Sequence, residues 1–352
     1  MNIKHFNYPI LLLFFVLFMG KAEAQDPHLS LWQYAPLYAN PAMGSVYDGQ
    51  FRASVHYRNQ WYAILGNDAF KTIHASFDAR LPVFEADYVS LGFNVLSDKA
   101  GQSRYGQSLY NFTAGYMKKL SGNYRGGPTQ YLTASGQIGF GQRGINYDEL
   151  QFSQQFQGGA FDPDNPTGEN FIENSRTYTD FNAGLMWYGV FDDRFSIWAG
   201  ASGYHLNQPS IHFVDDTSQP LYSRISAQIG GEIPLSGDIS ILPSLLYMRQ
   251  GPSNEIALGA SLRYAQTQYW NDVALRAGFM QRIVSSVNGG LASDALAISA
   301  GLEYQRLMMM INYDLNSSSL SRATNNRGAF ELSLIYTQPP RSRRESVKCP
   351  RF

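Results

Sequence analysis

Ile73-His74-Ala75-Ser76-Phe77-Asp78-Ala79-Arg80-Leu81 alternates apolar and polar side chains without a break. Successive side chains of an extended strand point to opposite faces, so this run builds one apolar face and one charged face. The same period of two recurs along the chain. Phe51, Ala53, Val55 and Tyr57 alternate with Arg52, Ser54, His56 and Arg58, and Ile256, Leu258, Ala260, Leu262 and Tyr264 with Glu255, Ser261 and Arg263. Leu296, Ile298, Ala300, Leu302 and Tyr304 oppose Ser299, Glu303 and Gln305, and Phe330, Leu332, Leu334 and Tyr336 oppose Glu331 and Ser333. About fourteen such segments of about ten residues each fill the chain from Phe51 to Tyr336, a length sufficient for a tilted strand to cross a bilayer.

The polar face decides between the architectures this pattern allows. Arg52, His74, Asp78, Arg80, Arg224, Arg263, Glu303 and Glu331 all fall on it. A β-sandwich would bury those charges in its core, where unpaired charges are rare. A closed barrel turns the apolar face to lipid and the polar face to a lumen, and leaves no unpaired edge in the hydrocarbon. The expected fold is therefore all-β: a transmembrane antiparallel β-barrel of the outer-membrane type, with about 14 strands, an even number as in bacterial barrels.

Composition agrees. Charged residues make up 16% of the chain, against roughly 25% in ordinary soluble domains. The 23 Tyr, 22 Phe and 32 Gly suit strands with aromatic girdles at the interfaces, although a large soluble sandwich or propeller shares such a composition. Beyond the first residues there is no run of about 18 apolar residues, so helices are not expected to cross a membrane. A net charge of −1 gives no basis for nucleic-acid binding. Cys349 is the sole cysteine, which excludes an internal disulfide and a thiolate metal cluster.

The chain ends carry their own signals. Lys4, an apolar run from Pro9 through Phe14 to Met19, and Ala22-Glu23-Ala24 before Gln25 form a signal-peptide pattern with an A-x-A cleavage site. The apolar run is too short for a typical spanning helix, and no cysteine follows the cleavage site to accept a lipid. The expected organisation is a signal peptide at 1–24, an N-terminal periplasmic or plug segment at 25–48 containing Trp32, Tyr34 and Tyr38, a barrel at 49–337, and a periplasmic tail at 338–352. The tail holds Pro339-Pro340, Arg341, Arg343 and Arg344, and its charge pattern fits a solvated basic tail or a docking peptide. Both termini are expected in the periplasm.

Outer-membrane barrels pair short periplasmic turns with longer outside loops. With the barrel entered from the periplasm, Asn59 to Lys71, Ser97 to Gln107, Gly141 to Thr177, His205 to Pro220, Ser285 to Asp294 and Ser317 to Gly328 are the expected long loops. Pro82 to Asp87, Phe191 to Arg194, Leu235 to Asp238 and the turn at Arg306 are the expected short turns. Leu120 to Thr129 and Gly251 to Ser253 break the alternation.

Local motifs offer little chemistry. Gly139-Phe140-Gly141-Gln142-Arg143-Gly144 has the G-x-G-x-x-G spacing but ends a strand and opens no helix, which a dinucleotide site requires. Asp162-Pro163-Asp164-Asn165 with Gly168 and Glu169 lacks the full ligand spacing of a calcium loop. His56 and His74 are expected as lumen neighbours, and no histidine pair has metal-ligand spacing. There is no G-x-S-x-G nucleophile elbow. No cofactor, metal or enzymatic activity is expected.

Several segments carry a family resemblance. Gln25-Asp26-Pro27-His28-Leu29-Ser30, then Asn40-Pro41-Ala42 and Gly44-Ser45, resemble the mature N-terminus of the PorP/SprF family of the type IX secretion system. Tyr57-Arg58-Asn59-Gln60-Trp61 looks like that family's Y-R-N-Q-W, and His205-Leu206-Asn207-Gln208-Pro209 its H-x-x-x-P. Tyr313-Asp314 through Ser318 and Leu320, with Gly328 and Glu331-Leu332-Ser333-Leu334, resembles its C-terminal strands, though Ile311-Asn312 departs from the family's G-Y-S-like run. Cys349-Pro350-Arg351-Phe352 resembles its C-P-R-F ending. The resemblance implies an integral outer-membrane component that supports export or surface anchoring of specific cargo, such as adhesins used in gliding. It also implies periplasmic partners, either ring subunits or peptidoglycan-linked proteins. Its motif positions nominate Asn40, Pro41, Tyr57, Arg58, Gln60, Trp61, Tyr313, Asp314, Glu331, Cys349, Pro350, Arg351 and Phe352 as binding residues. The competing expectation is an outer-membrane channel for small hydrophobic solutes, which needs an apolar lumen pocket.

Overall fold

The computed structural model describes residues 25–84, 86–122, 128–169, 174–192, 194–211, 220–265, 273–286, 289–339, 347 and 349–352. The expected signal peptide and Arg341, Arg343 and Arg344 lie outside the described residues. Among those described, fourteen strands close into one antiparallel barrel. They are β1 (Phe51–Gln60), β2 (Phe70–Pro82), β3 (Tyr88–Ala100), β4 (Tyr105–Ser121), β5 (Thr129–Gly144), β6 (Ser175–Asp192) and β7 (Phe195–Tyr204), then β8 (Arg224–Pro234), β9 (Ile239–Gln250), β10 (Ser253–Tyr264), β11 (Val273–Ser285), β12 (Leu291–Tyr304), β13 (Leu307–Asn316) and β14 (Arg327–Gln338). Each strand pairs with its sequence neighbours, and β1 closes on β14 with Phe51 opposite Gln338 and Gln60 opposite Ala329.

Alternation sets which face is which. In β2 every second residue from Thr72 to Arg80 is buried, while Ile73, Phe77 and Leu81 are about half exposed on the outer wall. Val55, Leu91, Phe112, Leu258, Phe279 and Ile298 extend the same outward apolar belt around the barrel. Arg52, His56 and Arg58 point inward from β1 and are almost completely buried. A barrel wall bathed in lipid needs this inversion, because lipid accepts apolar side chains and the lumen must satisfy the polar ones.

The two rims differ. Connections 83–87, 122–128, 193–194, 235–238, 265–272 and 305–306 lie at the rim where β1 begins and β14 ends, here termed the turn end. Connections 61–69, 101–104, 145–174, 205–223, 251–252, 286–290 and 317–326 lie at the opposite, loop end. Two expected long loops are short. The Ser97 to Gln107 connection shrinks to 101–104 because β3 and β4 stay paired as far as Ala100 and Tyr105. The Ser285 to Asp294 connection shrinks to 286–290 because β12 begins at Leu291 opposite Ser285. Alternation is invisible there, since both faces turn polar beyond the lipid.

The lumen is filled. Residues 25–50 run inside the barrel as a series of tight turns: a 3-10 turn at Trp32–Tyr34, a single helical turn at Pro36–Ala39 and a second 3-10 turn at Pro41–Ser45. Leu29, Trp32, Ala35, Tyr38, Ala42, Met43 and Val46 pack against inward-facing Leu96, Leu109, Met117, Met186, Trp198, Leu246 and Met280. The apolar core therefore lies between the N-terminal segment and the inner wall.

Candidate functional site

Three polar clusters tie residues 26–42 of the N-terminal segment to the wall, and a fourth holds residues 43–49 at the turn end. Nearest the loop end is Asp26. Its carboxylate accepts from His205 Nε2 at 2.7 Å and faces Arg224 at 3.2 Å and Arg143 at 3.8 Å. His205 also meets Asp180 through Nδ1 at 2.9 Å. Burial works against its charge, but the two carboxylates prevail and raise it to about 9. Burial likewise pushes the Asp26 carboxyl up, and the charges of His205 and Arg224 outweigh it, holding the group well below the usual carboxylate range. His205 adopts a positive φ of 54°, uncommon for a residue with a Cβ. Its backbone N–H donates to Asn182 Oδ1 at 2.9 Å, which fixes the turn.

The middle cluster holds Ser30 and Leu31. Both backbone N–H groups donate to the Glu331 carboxylate, at 2.8 and 2.7 Å. Ser30 Oγ donates to Asp314 at 2.8 Å and accepts from Arg282 at 2.8 Å. Arg58 bridges Asp314, at 3.0 Å, and Glu331, and Gln60 accepts a further bond from it at 3.1 Å. His56 lies 3.3 Å from Glu331 and directly opposite His74 on β2. Charges so deeply buried are tolerated only when paired and hydrogen-bonded.

Asn40 anchors the segment lower down. Its Oδ1 caps the following turn by accepting from the Ala42 N–H at 2.8 Å, the usual device for an unpaired helical N–H. Its Nδ2 donates to Gln228 at 3.0 Å, and Pro41 starts the turn with its fixed φ. The carboxamide fits because the wall is glycine there: a Cβ on Gly184 would sit 2.1 Å from Asn40 Oδ1, and one on Gly200 2.9 Å from Nδ2.

At the turn end, Arg52 makes a bidentate pair with Asp78, both bonds 3.1 Å, and donates to the Met43 carbonyl at 2.9 Å. Arg80 gathers the carbonyls of Ser45, Tyr47 and Gly49. The last residues also lie here. Arg80 contacts Cys349 Sγ at 3.6 Å, Pro350 is buried, Arg351 pairs with Glu232 at 2.8 Å, and Phe352 packs on Trp198.

The nominated residues thus separate. Arg58, Gln60, Asp314 and Glu331 converge on Ser30, while Asn40 and Pro41 form a second contact. Tyr57 and Tyr313, their chain neighbours, face outward, because alternation sends adjacent residues to opposite sides. Trp61 sits at the loop-end rim, packed on Phe70. The expected tail does not simply project: Cys349 to Phe352 fold back into the lumen. The termini also part company. Phe51 and Gln338 share the turn end, as expected for the barrel wall, but Gln25 and Asp26 lie at the loop end, beside Gln250 and His205. Asp26, Ser30, His205 and Arg282 were not singled out from sequence as binding positions; the first three stand in the quoted Q-D-P-x-x-S and H-x-x-x-P segments.

A closed fourteen-stranded antiparallel barrel with an apolar outer belt and a charged, filled interior is an integral outer-membrane β-barrel. Among solved structures the chain is similar to the P. putida toluene transporter TodX (9% identity, 86% of this chain and 93% of that one, TM-score 0.47). It is also similar to a Pseudomonas aeruginosa FadL homologue (12%, 85% and 93%, 0.44) and to the Acinetobacter baumannii outer membrane protein Omp33 (9%, 82% and 98%, 0.38). Likenesses this distant assign no ligand to this chain. No curated protein matches it. The family model for the type IX secretion system membrane protein PorP/SprF matches residues 21–336, and the chain belongs to that family.

Proposed function

We propose that this barrel is a non-enzymatic outer-membrane station of type IX secretion. It binds specific cargo, such as an adhesin, for export or surface anchoring, and it engages ring subunits or peptidoglycan-linked proteins in the periplasm. The observation that carries this reading is the filled lumen. The N-terminal segment is tied to the wall at Asp26, Ser30 and Asn40, from the loop end to mid-barrel, so cargo is engaged at the rims and not threaded through the barrel. With the longer loops outside, 145–174 and 205–223 face the cargo and the turn end faces the periplasm. A channel for hydrophobic solutes needs an apolar path, whereas Arg52, Arg58, Arg224, Arg276 and Arg282 line this interior.

The test is affinity purification of the tagged, intact chain from detergent-solubilised outer membranes, with mass spectrometry of the eluate. Secretion-ring components or a large secreted protein support the reading. An eluate holding only lipid or small apolar solute overturns it.

A further inference from the structure

Three wall side chains at the turn end each hold two things at once. Trp198, 1% exposed, meets Trp32 of the N-terminal segment edge-on at 6.0 Å and Phe352 at 5.0 Å. Arg276 donates to Tyr34 OH at 3.1 Å and to the Phe352 carbonyl. Arg80 gathers the Ser45, Tyr47 and Gly49 carbonyls and contacts Cys349. The last residues make further contacts of their own: Arg351 with buried Glu232, Cys349 with Tyr188 OH at 3.5 Å, and Val347 within the lumen core. Beside them is a cavity of about 500 Å³ lined by Tyr34, Tyr47, Arg52, Glu303, Cys349 and Phe352, so the segment has room to leave without unpacking the wall.

We infer that the segment ending in Cys349-Pro350-Arg351-Phe352 is a detachable latch, seated in a peptide-binding site of the inner wall, whose release loosens the N-terminal segment. Two ligands that share the same side chains are energetically coupled, and the coupling is reciprocal. Undocking removes the partner that holds Trp198 against Trp32 and Arg276 against Tyr34. The site suits a short extended peptide with a proline, a basic and an aromatic side chain in that order: the aromatic ring on Trp198, the cation on Glu232. A partner presenting such a peptide at the turn end competes with the resident segment. This goes beyond the secretion reading and does not depend on it.

Cys349 is the sole cysteine of the chain, so its alkylation by a maleimide reports docking at one site in the intact protein. In parallel, hydrogen exchange of residues 32–46 reports the N-terminal segment. Phe352→Ala is expected to accelerate both by about tenfold, as the loss of the partly buried ring packed on Trp198 allows. An excess of a synthetic peptide matching residues 347–352, with serine in place of the cysteine, is expected to accelerate labelling of the unmodified chain and to leave exchange in residues 32–46 unchanged, because it refills the contacts on Trp198 and Arg276. Labelling of the unmodified chain as fast as a free thiol peptide overturns the docked latch. Faster labelling of Phe352→Ala with unchanged exchange in residues 32–46 overturns the coupling, and a competing peptide without effect on labelling overturns the binding site.

Discussion

Glu331→Gln isolates what the middle cluster contributes. The carboxylate accepts the backbone N–H groups of Ser30 and Leu31 and a guanidinium bond from Arg58, all at a site with no solvent exposure. Glutamine keeps the shape but has one carbonyl oxygen, so its NH2 group is turned against one of the donors. An unsatisfied buried N–H costs about 1–3 kcal/mol, and a lost charge-assisted bond about 1.5–3 kcal/mol. Arg58 keeps Asp314 at 3.0 Å, so the loss is taken at the low end, about 2.5 kcal/mol. At 1.4 kcal/mol per tenfold, opening of the N-terminal segment rises by about 60-fold. Hydrogen exchange with mass spectrometry on peptides covering residues 26–46, in detergent micelles, reads this directly. The strand ladder of β14 is untouched, so barrel amides exchange as before. Exchange in residues 26–46 within about twofold of the unmodified chain refutes the reasoning, since local opening reports these bonds.

Other consequences are separable. His205, raised to about 9 from its ordinary 6.5, stabilises its cluster fully below pH 6.5, and that stability is lost as pH rises through about 9. Protection near Asp26, taken against the intrinsic base-catalysed exchange of an unstructured peptide at each pH, is therefore expected to fall between pH 7 and about 9.5, and His205→Gln to flatten that fall. Gly184→Val pushes a side chain into the Asn40 carboxamide; overpacking of this kind costs about 1–3 kcal/mol and is expected to lower the thermal midpoint and free residues 40–46 for exchange. Leu258→Arg, at the middle of β10 and 56% exposed on the outer wall, is expected to cost about 2–4 kcal/mol in urea titrations of folding into lipid vesicles, whereas the same change on a soluble surface is nearly neutral.

The barrel is legible because period-two alternation is a local property. Ile73, Phe77 and Leu81 against His74, Asp78 and Arg80 suffice to assign faces, and the structure keeps that assignment. Strand ends are less legible: Asp98 and Lys99 look like loop, yet they remain paired with Gln107 and Gly106 above the lipid. The site was half visible. Arg58, Asp314 and Glu331 lie in the quoted motifs, but so do Tyr57 and Tyr313, and alternation alone would have set those two on the outer wall. The Asp26–His205 contact joins residues 179 positions apart, and the folding back of Cys349 to Phe352 depends on Trp198, Glu232 and Arg276 from three strands. Neither leaves a periodic trace in the chain.

The filled lumen is the central claim, and single-channel recording in planar bilayers tests it most directly. The intact chain is expected to insert without stepwise ion conductance, and a chain lacking Gln25 to Tyr38 to show stable open steps. Equal conductance from the two proteins contradicts the account.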